Sequence, residues 1–266
     1  MSKTKTVQEL LEAFGNDKIA AIRAIQAYKL VEHPERVSTF TQTNEKMISL
    51  NSISKTYDLK GNQIVALDNV SLDIYAGEFV AITGSSGSGK STLLQIMGGL
   101  DKPTTGVVTI NNQDISKFSD SQLAEMRNKT IGFVFQFFYL QPFLKLGKNI
   151  EVPSMFARIS PSERQVRVQE LLSAVGLEHR NDHYPRQLSG GQLQRAAISR
   201  ALINRPKIIL ADEPTGNLDS KNGEAIIEIF EKMRKLYNVT VVLVTHDDEI
   251  ASRADRIIPM KDGMLL

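Results

Sequence analysis

The chain has 266 residues, 41% of them hydrophobic, enough to bury the core of one large domain with a modest appendage. Its 32 basic and 30 acidic side chains leave a formal charge of +2, without the lopsided basic balance of a dedicated nucleic-acid binder, so no nucleic-acid partner is expected. The lack of cysteine excludes a disulfide framework and thiolate chemistry.

Residues 1–46 read as an N-terminal helical extension. Val7, Leu10, Leu11 and Phe14 fall at i, i+3, i+4 and i+7, the stripe of a short amphipathic helix, and Gly15 stops it. Glu9 and Glu12 interrupt the apolar core that a secretory signal needs. Asn16 or Asp17 caps a second helix through Ile19, Ile22, Ile25 and Leu30, which Pro34 ends, and polar Ser38 to Lys46 reads as a linker. The pair either packs on the main domain or docks a membrane partner or dimer mate; the sequence leaves both open. No stretch approaches the ~20 apolar residues needed to span a bilayer, so membrane work is expected to pass through a separate embedded partner.

From Met47 to Leu266 the pattern is α/β. Strand-like runs at Ile48–Ile53, Ile64–Ile74 and Phe79–Thr83 lead to a glycine-rich loop, and Ser91–Met97 has helix character. Ile131–Phe135, Ile208–Asp212 and Val239–Val244 are apolar runs of the kind buried on both faces of a parallel sheet. Alternation with helical stretches implies right-handed crossovers. Residues 137–187 read as wholly helical, an insertion into the sheet core, with Ser160-Pro161-Ser162-Glu163 supplying a capping box and a proline at the first helical position.

The loop Gly84-Ser85-Ser86-Gly87-Ser88-Gly89-Lys90-Ser91, with Thr92 next, has the spacing G-x-x-x-x-G-K-S between strand and helix. Glycines there let backbone N–H groups approach phosphates, and the helix N-terminus adds partial positive charge. Lys90 is expected to neutralise β/γ-phosphate oxygens and Ser91 to ligate Mg²⁺.

The buried run ending Asp212-Glu213 delivers two carboxylates at the carboxyl end of a strand, where open α/β sheets place ligands. Neighbouring strand residues point oppositely, so Asp212 is expected to face Mg²⁺ and Glu213 to orient and deprotonate water. His246 ends another such run, where its imidazole can donate to a γ-phosphate oxygen. Gln136 ends Ile131–Phe135, offering an amide to water or Mg²⁺.

With these residues in place, 47–266 resemble the ATP-binding cassette (ABC) superfamily. Leu188-Ser189-Gly190-Gly191-Gln192 looks like that family's signature. The resemblance implies a P-loop NTPase with a RecA-like parallel-sheet core, an antiparallel β subdomain and an inserted helical subdomain. It implies that Ser189, Gly190, Gly191 and Gln192 bind the γ-phosphate held by the other copy of a head-to-tail homodimer. It implies adenine stacking on Tyr57 and an inter-subunit contact loop at Asn217-Leu218-Asp219.

Within the superfamily, Gly132-Phe133-Val134-Phe135-Gln136-Phe137-Phe138, Asn149-Ile150-Glu151-Val152-Pro153 and Ala211 to Ser220 are similar to the lipoprotein-releasing, macrolide-exporting, antimicrobial-peptide-resistance and cell-division ATPases. This implies an ATP- and Mg²⁺-dependent ATPase at the cytoplasmic face of the cell membrane. Its partner would be a separately encoded ABC permease, and its work export or extraction of a lipid, lipoprotein, peptide or drug. The alternatives are a cell-division-type regulator that transports nothing and a soluble non-transport ABC ATPase. A binding module without turnover is disfavoured, because Glu213, His246, Gln136 and Lys90 are all present.

Overall fold

A computed structural model describes residues 45–59 and 61–266. The helical pair expected before them, and all but the end of the linker, lie outside the described residues. Lys46, expected as linker, is already the first residue of a strand.

Two sheets organise the described residues. The first is four-stranded and antiparallel, in the order β2-β1-β4-β5, from β1 (Lys46–Leu59), β2 (Asn62–Tyr75), β4 (Thr105–Ile110) and β5 (Gln113–Asp114). The second contains β3 (Phe79–Thr83), β6 (Ile131–Phe135), β7 (Ile208–Asp212), β8 (Thr240–Thr245), β9 (Arg256–Lys261) and β10 (Met264–Leu265). Its order is β10-β9-β3-β8-β7-β6, parallel except for β10. The helices are α1 (Lys90–Met97), α2 (Asp120–Thr130), α3 (Leu146–Phe156), α4 (Pro161–Ala174), α5 (Gly190–Leu202), α6 (Ser220–Tyr237) and α7 (Asp248–Ala251).

The apolar runs of the second sheet are buried on both faces, as their composition predicts. Successive side chains alternate between two cores. Val80, Ile82, Leu210, Val242 and Val244 join the antiparallel sheet and α1 in one cluster, while Phe79, Ile209, Ala211, Val241 and Leu243 meet Ile198, Ile226 and Phe230 in the other. By this alternation Asp212 falls on the α1 side.

The segment 137–187 is less helical than its pattern suggests. Residues 137–145 are irregular, and only α3 and α4 form full helices. Asn149 explains the difference. Its buried side chain accepts from Gln141 N at 2.6 Å and donates to the carbonyls of Gln141 at 3.1 Å and Leu144 at 2.9 Å, satisfying backbone groups that a helix would otherwise pair. At α4, Ser160 caps and Pro161 starts the helix as expected, with Ser160 Oγ accepting from Glu163 N at 3.3 Å. The reciprocal half of the box is replaced, because the Glu163 carboxylate accepts from Arg167 at 2.7 Å.

Candidate active site

Strands β3, β6, β7 and β8 run in parallel, so their carboxyl ends share one edge. There the phosphate loop, Gln136, Asp212-Glu213 and His246 emerge. At the loop, Gly84 has φ +151°, and a Cβ on it would lie 2.2 Å from the Met260 carbonyl oxygen. Gly89, with φ +101°, caps α1 where a Cβ would come 2.5 Å from the Ala66 carbonyl. Only glycine fits both places. The buried Lys90 ammonium donates to the carbonyls of Gly84 and Ser85, each at 2.8 Å, and so curls the loop. Ser85, Ser86 and Gly87 form its exposed tip, Ser88 is buried beneath it, and Thr92 lies half-buried in the first turn of α1.

Ser91 donates to Asp212 Oδ1 at 3.1 Å, which joins the start of α1 to the end of β7. Burial pushes the Asp212 carboxyl above its usual range, and the Glu213 charge adds to this. A hydroxyl beside a partly buried carboxylate is a hard-oxygen donor set. Glu213 follows with φ +45°, a strained backbone for a non-glycine residue, while its N–H still reaches Val244 O at 3.0 Å. The turn aims its carboxylate at His246, whose Nδ1 lies 3.0 Å from both carboxylate oxygens. That contact raises the imidazole above its ordinary value. Gln136 stands over the next turn: a Cβ on Gly216 would meet its Nε2 at 2.9 Å, and Asn217 donates to its carbonyl at 3.0 Å.

Residues 67–216 match the family described as ABC transporter. The chain is 47% identical to the uncharacterized ABC transporter ATP-binding protein YvrO of Bacillus subtilis, over 83% of this chain and 96% of that one. The chain belongs to the ABC transporter family. It is 46% identical to the macrolide export ATP-binding/permease protein MacB of Escherichia coli over the same share of itself, which spans 34% of MacB. Among solved structures it is similar to the dimeric ABC transporter cassette MJ0796, with TM-score 0.77 and 49% identity over 82% of this chain and 96% of that one. A dimeric post-hydrolysis state of MJ0796 bound to ADP and Pi superposes with the same TM-score. The P-loop cassette architecture and the ATPase class expected from the sequence therefore hold, and no helix among the described residues is long and apolar enough to cross a membrane.

The other expected site residues sit on other elements. Ser189 caps α5 in a complete box: its Oγ accepts from Gln192 N at 3.4 Å, and Gln192 Oε1 accepts from Ser189 N at 3.0 Å. The atoms nearest to a Cβ on Gly190 or Gly191 belong to Leu218, Phe138 and Asn222, none of them in the loop. Asp219 caps α6, accepting from Asn222 N at 2.9 Å and Asn222 Nδ2 at 2.7 Å, and these bonds hold its carboxyl low. Tyr57 is half-buried on β1, with its hydroxyl 2.8 Å from Asp101 Oδ2.

Sequence reasoning missed Arg200, Asn222 and Asp101. Arg200 on α5 donates to the carbonyls of Tyr139 at 2.6 Å and Phe138 at 2.9 Å, pinning the irregular segment after Gln136. The one signal was an arginine set within an otherwise small and apolar helix face.

Proposed function

We propose that this cassette hydrolyses ATP at a site completed by a second copy, and that the closure of the pair drives a membrane permease encoded separately. The observation that carries the reading is the grouping of the Lys90 loop, Asp212, Glu213, His246 and Gln136 at one sheet edge, with Ser189 on a separate element. The α5 N-terminus is a ready anion site, and the nearest atoms around Gly190 and Gly191 belong to Leu218, Phe138 and Asn222 rather than to the loop.

In this reading the loop N–H groups and Lys90 hold the phosphates. Mg²⁺ would sit among Ser91, Asp212 and Gln136, where oxygen donors fit a hard cation, and it would offset phosphate charge. Glu213 orients a water and takes its proton. His246, bonded through Nδ1 to Glu213, keeps Nε2 for a γ-phosphate oxygen. That nitrogen donates only while the imidazole stays protonated, and the Glu213 contact favours that state. Ser189, Gly190, Gly191 and Gln192 of one copy bind the γ-phosphate on its mate, and the Asp219 loop lies at the contact.

Likeness to the macrolide export protein MacB supports export as the work; in this reading the cassette lies at the cytoplasmic face of the cell membrane, and the cargo exported or extracted is a drug, lipid, lipoprotein or peptide. The name of the Bacillus relative, an ABC transporter ATP-binding protein, supports a permease on another chain. Exposed Phe137 and Tyr139, with ring centroids 6.4 Å apart just after Gln136, give that partner an apolar contact. A cell-division-type regulator would use the same chemistry and surface.

The test is Glu213→Gln with ATP: hydrolysis slows about 10²- to 10⁴-fold while an ATP-dependent dimer accumulates in light scattering. A species that stays monomeric with nucleotide bound and hydrolysis blocked overturns the shared site.

A further inference from the structure

Tyr57 is held more tightly than a stacking ring on a surface strand requires. Its hydroxyl donates to Asp101 Oδ2 at 2.8 Å. Asp101 Oδ1 accepts from Lys55 Nζ at 2.7 Å, and the same ammonium lies 4.8 Å from the Tyr57 ring centroid. One face of the ring is thus covered by a cation, in cation–π contact, and a base would take the opposite face.

Lys55 is anchored in turn, donating to the Lys102 carbonyl at 2.7 Å, and its side chain is only 12% exposed. Asp101 is also fixed from its own side. Its N–H reaches back to the Gln95 carbonyl of α1 at 3.3 Å, and Oδ1 accepts from Lys102 N at 2.7 Å. The ring and Lys55 belong to the antiparallel sheet, while Asp101 follows the helix that starts at the phosphate loop and bonds back to it through Gln95.

We propose that Asp101 is a positioning residue for the nucleotide base: its carboxylate sets the plane of the Tyr57 ring through the hydroxyl and Lys55, and fastens that ring to the phosphate-loop helix. This rests on the reading of Tyr57 as the adenine platform. Asp101 itself touches no nucleotide. It fixes the ring beforehand, so that binding does not have to order it, and it sets the distance between base platform and phosphate loop through α1. Burial and the Asp101 carboxylate both raise the phenol, which keeps the proton on Tyr57 and the bond in place.

The test compares dissociation constants for ATP and for inorganic tripolyphosphate, which has no base. Asp101→Ala and Tyr57→Phe each weaken ATP about 3- to 10-fold, as expected for losing one pre-ordered side chain, and leave tripolyphosphate within about twofold. The double variant binds ATP no more weakly than Asp101→Ala alone. If Asp101→Ala does not fold, Tyr57→Phe removes the same bond from the other end and decides the matter. Tyr57→Ala with undiminished ATP affinity overturns the adenine platform itself. A Tyr57→Ala that weakens ATP while Asp101→Ala and Tyr57→Phe do not leaves the platform standing and overturns the role of Asp101. Equal weakening of tripolyphosphate and ATP marks a general loosening of the fold and overturns it as well.

Discussion

His246 and Glu213 are bonded across neighbouring strand ends, with Nδ1 of the imidazole 3.0 Å from each oxygen of the carboxylate. The pair joins the residue assigned to water activation with the residue assigned to the γ-phosphate. Each therefore orients the other, and Glu213 favours the charged form of the imidazole.

The pH dependence follows from this pair. Glu213 raises the His246 pKa; Asp247 also raises it, while Lys90 and burial oppose the shift. A raised folded-state value means that the contribution of the pair to stability is full below the ordinary histidine range and is lost as pH rises through the raised value. The imidazole is largely exposed, so the effect on stability is small. NMR titration of the nucleotide-free protein shows His246 above the ordinary value, and Glu213→Gln brings it down. Hydrolysis by the wild type falls as pH rises through the same transition. An unshifted His246 in both proteins contradicts the bond.

The glycines of the loop separate by what surrounds them. Gly87 has φ +81° and open space around its Cβ position, so Gly87→Ala costs about 1–2 kcal/mol of left-handed strain. Gly84→Ala adds a clash with the Met260 carbonyl, worth about another 1–3 kcal/mol, and shifts the loop. Urea denaturation ranks the two, and only Gly84→Ala abolishes ATP binding outright.

Ser189 serves both as helix cap and as the proposed phosphate donor. Glycine is nearly as good a cap, costing a few tenths of a kcal/mol, so Ser189→Gly lowers the melting temperature by about 1 °C while cutting hydrolysis at least about tenfold. Mixed with Glu213→Gln protein, it gives activities that do not follow the simple average of the two. Averaged activities would show that the two residues act in separate sites.

Arg200 holds two carbonyls with one guanidinium, and burial lowers its pKa. Arg200→Met leaves the Phe138 and Tyr139 carbonyls without that donor and destabilises the protein by about 2 kcal/mol in denaturant titrations. Arg200→Lys recovers only part of this, because a single ammonium cannot match the planar fork.

The parallel strands were legible in the sequence because β3, β7 and β8 are apolar on both faces, and a run of that kind has few other uses. The site was legible because its residues sit at strand ends and in a loop with fixed spacing. Legibility failed where polar side chains replace periodicity. The α2 helix buries only Leu123 and Met126, β9 contains Pro259, and β10 is two residues long. The segment before α3 is shaped by Asn149, whose three backbone partners leave no pattern in the chain. Asp101 was illegible for the same reason: its importance lies in Tyr57 and Lys55, which precede it by more than 40 positions.

Asn222 occupies the corner where two helices begin. Its side chain bonds the Asp219 carboxylate that caps α6, and its Oδ1 lies 2.7 Å from where a Cβ on Gly191 would stand, in the first turn of α5. Gly191 thus gives up helix propensity so that the corner can close. A side chain at position 191 would therefore wedge the two first turns apart at Asn222.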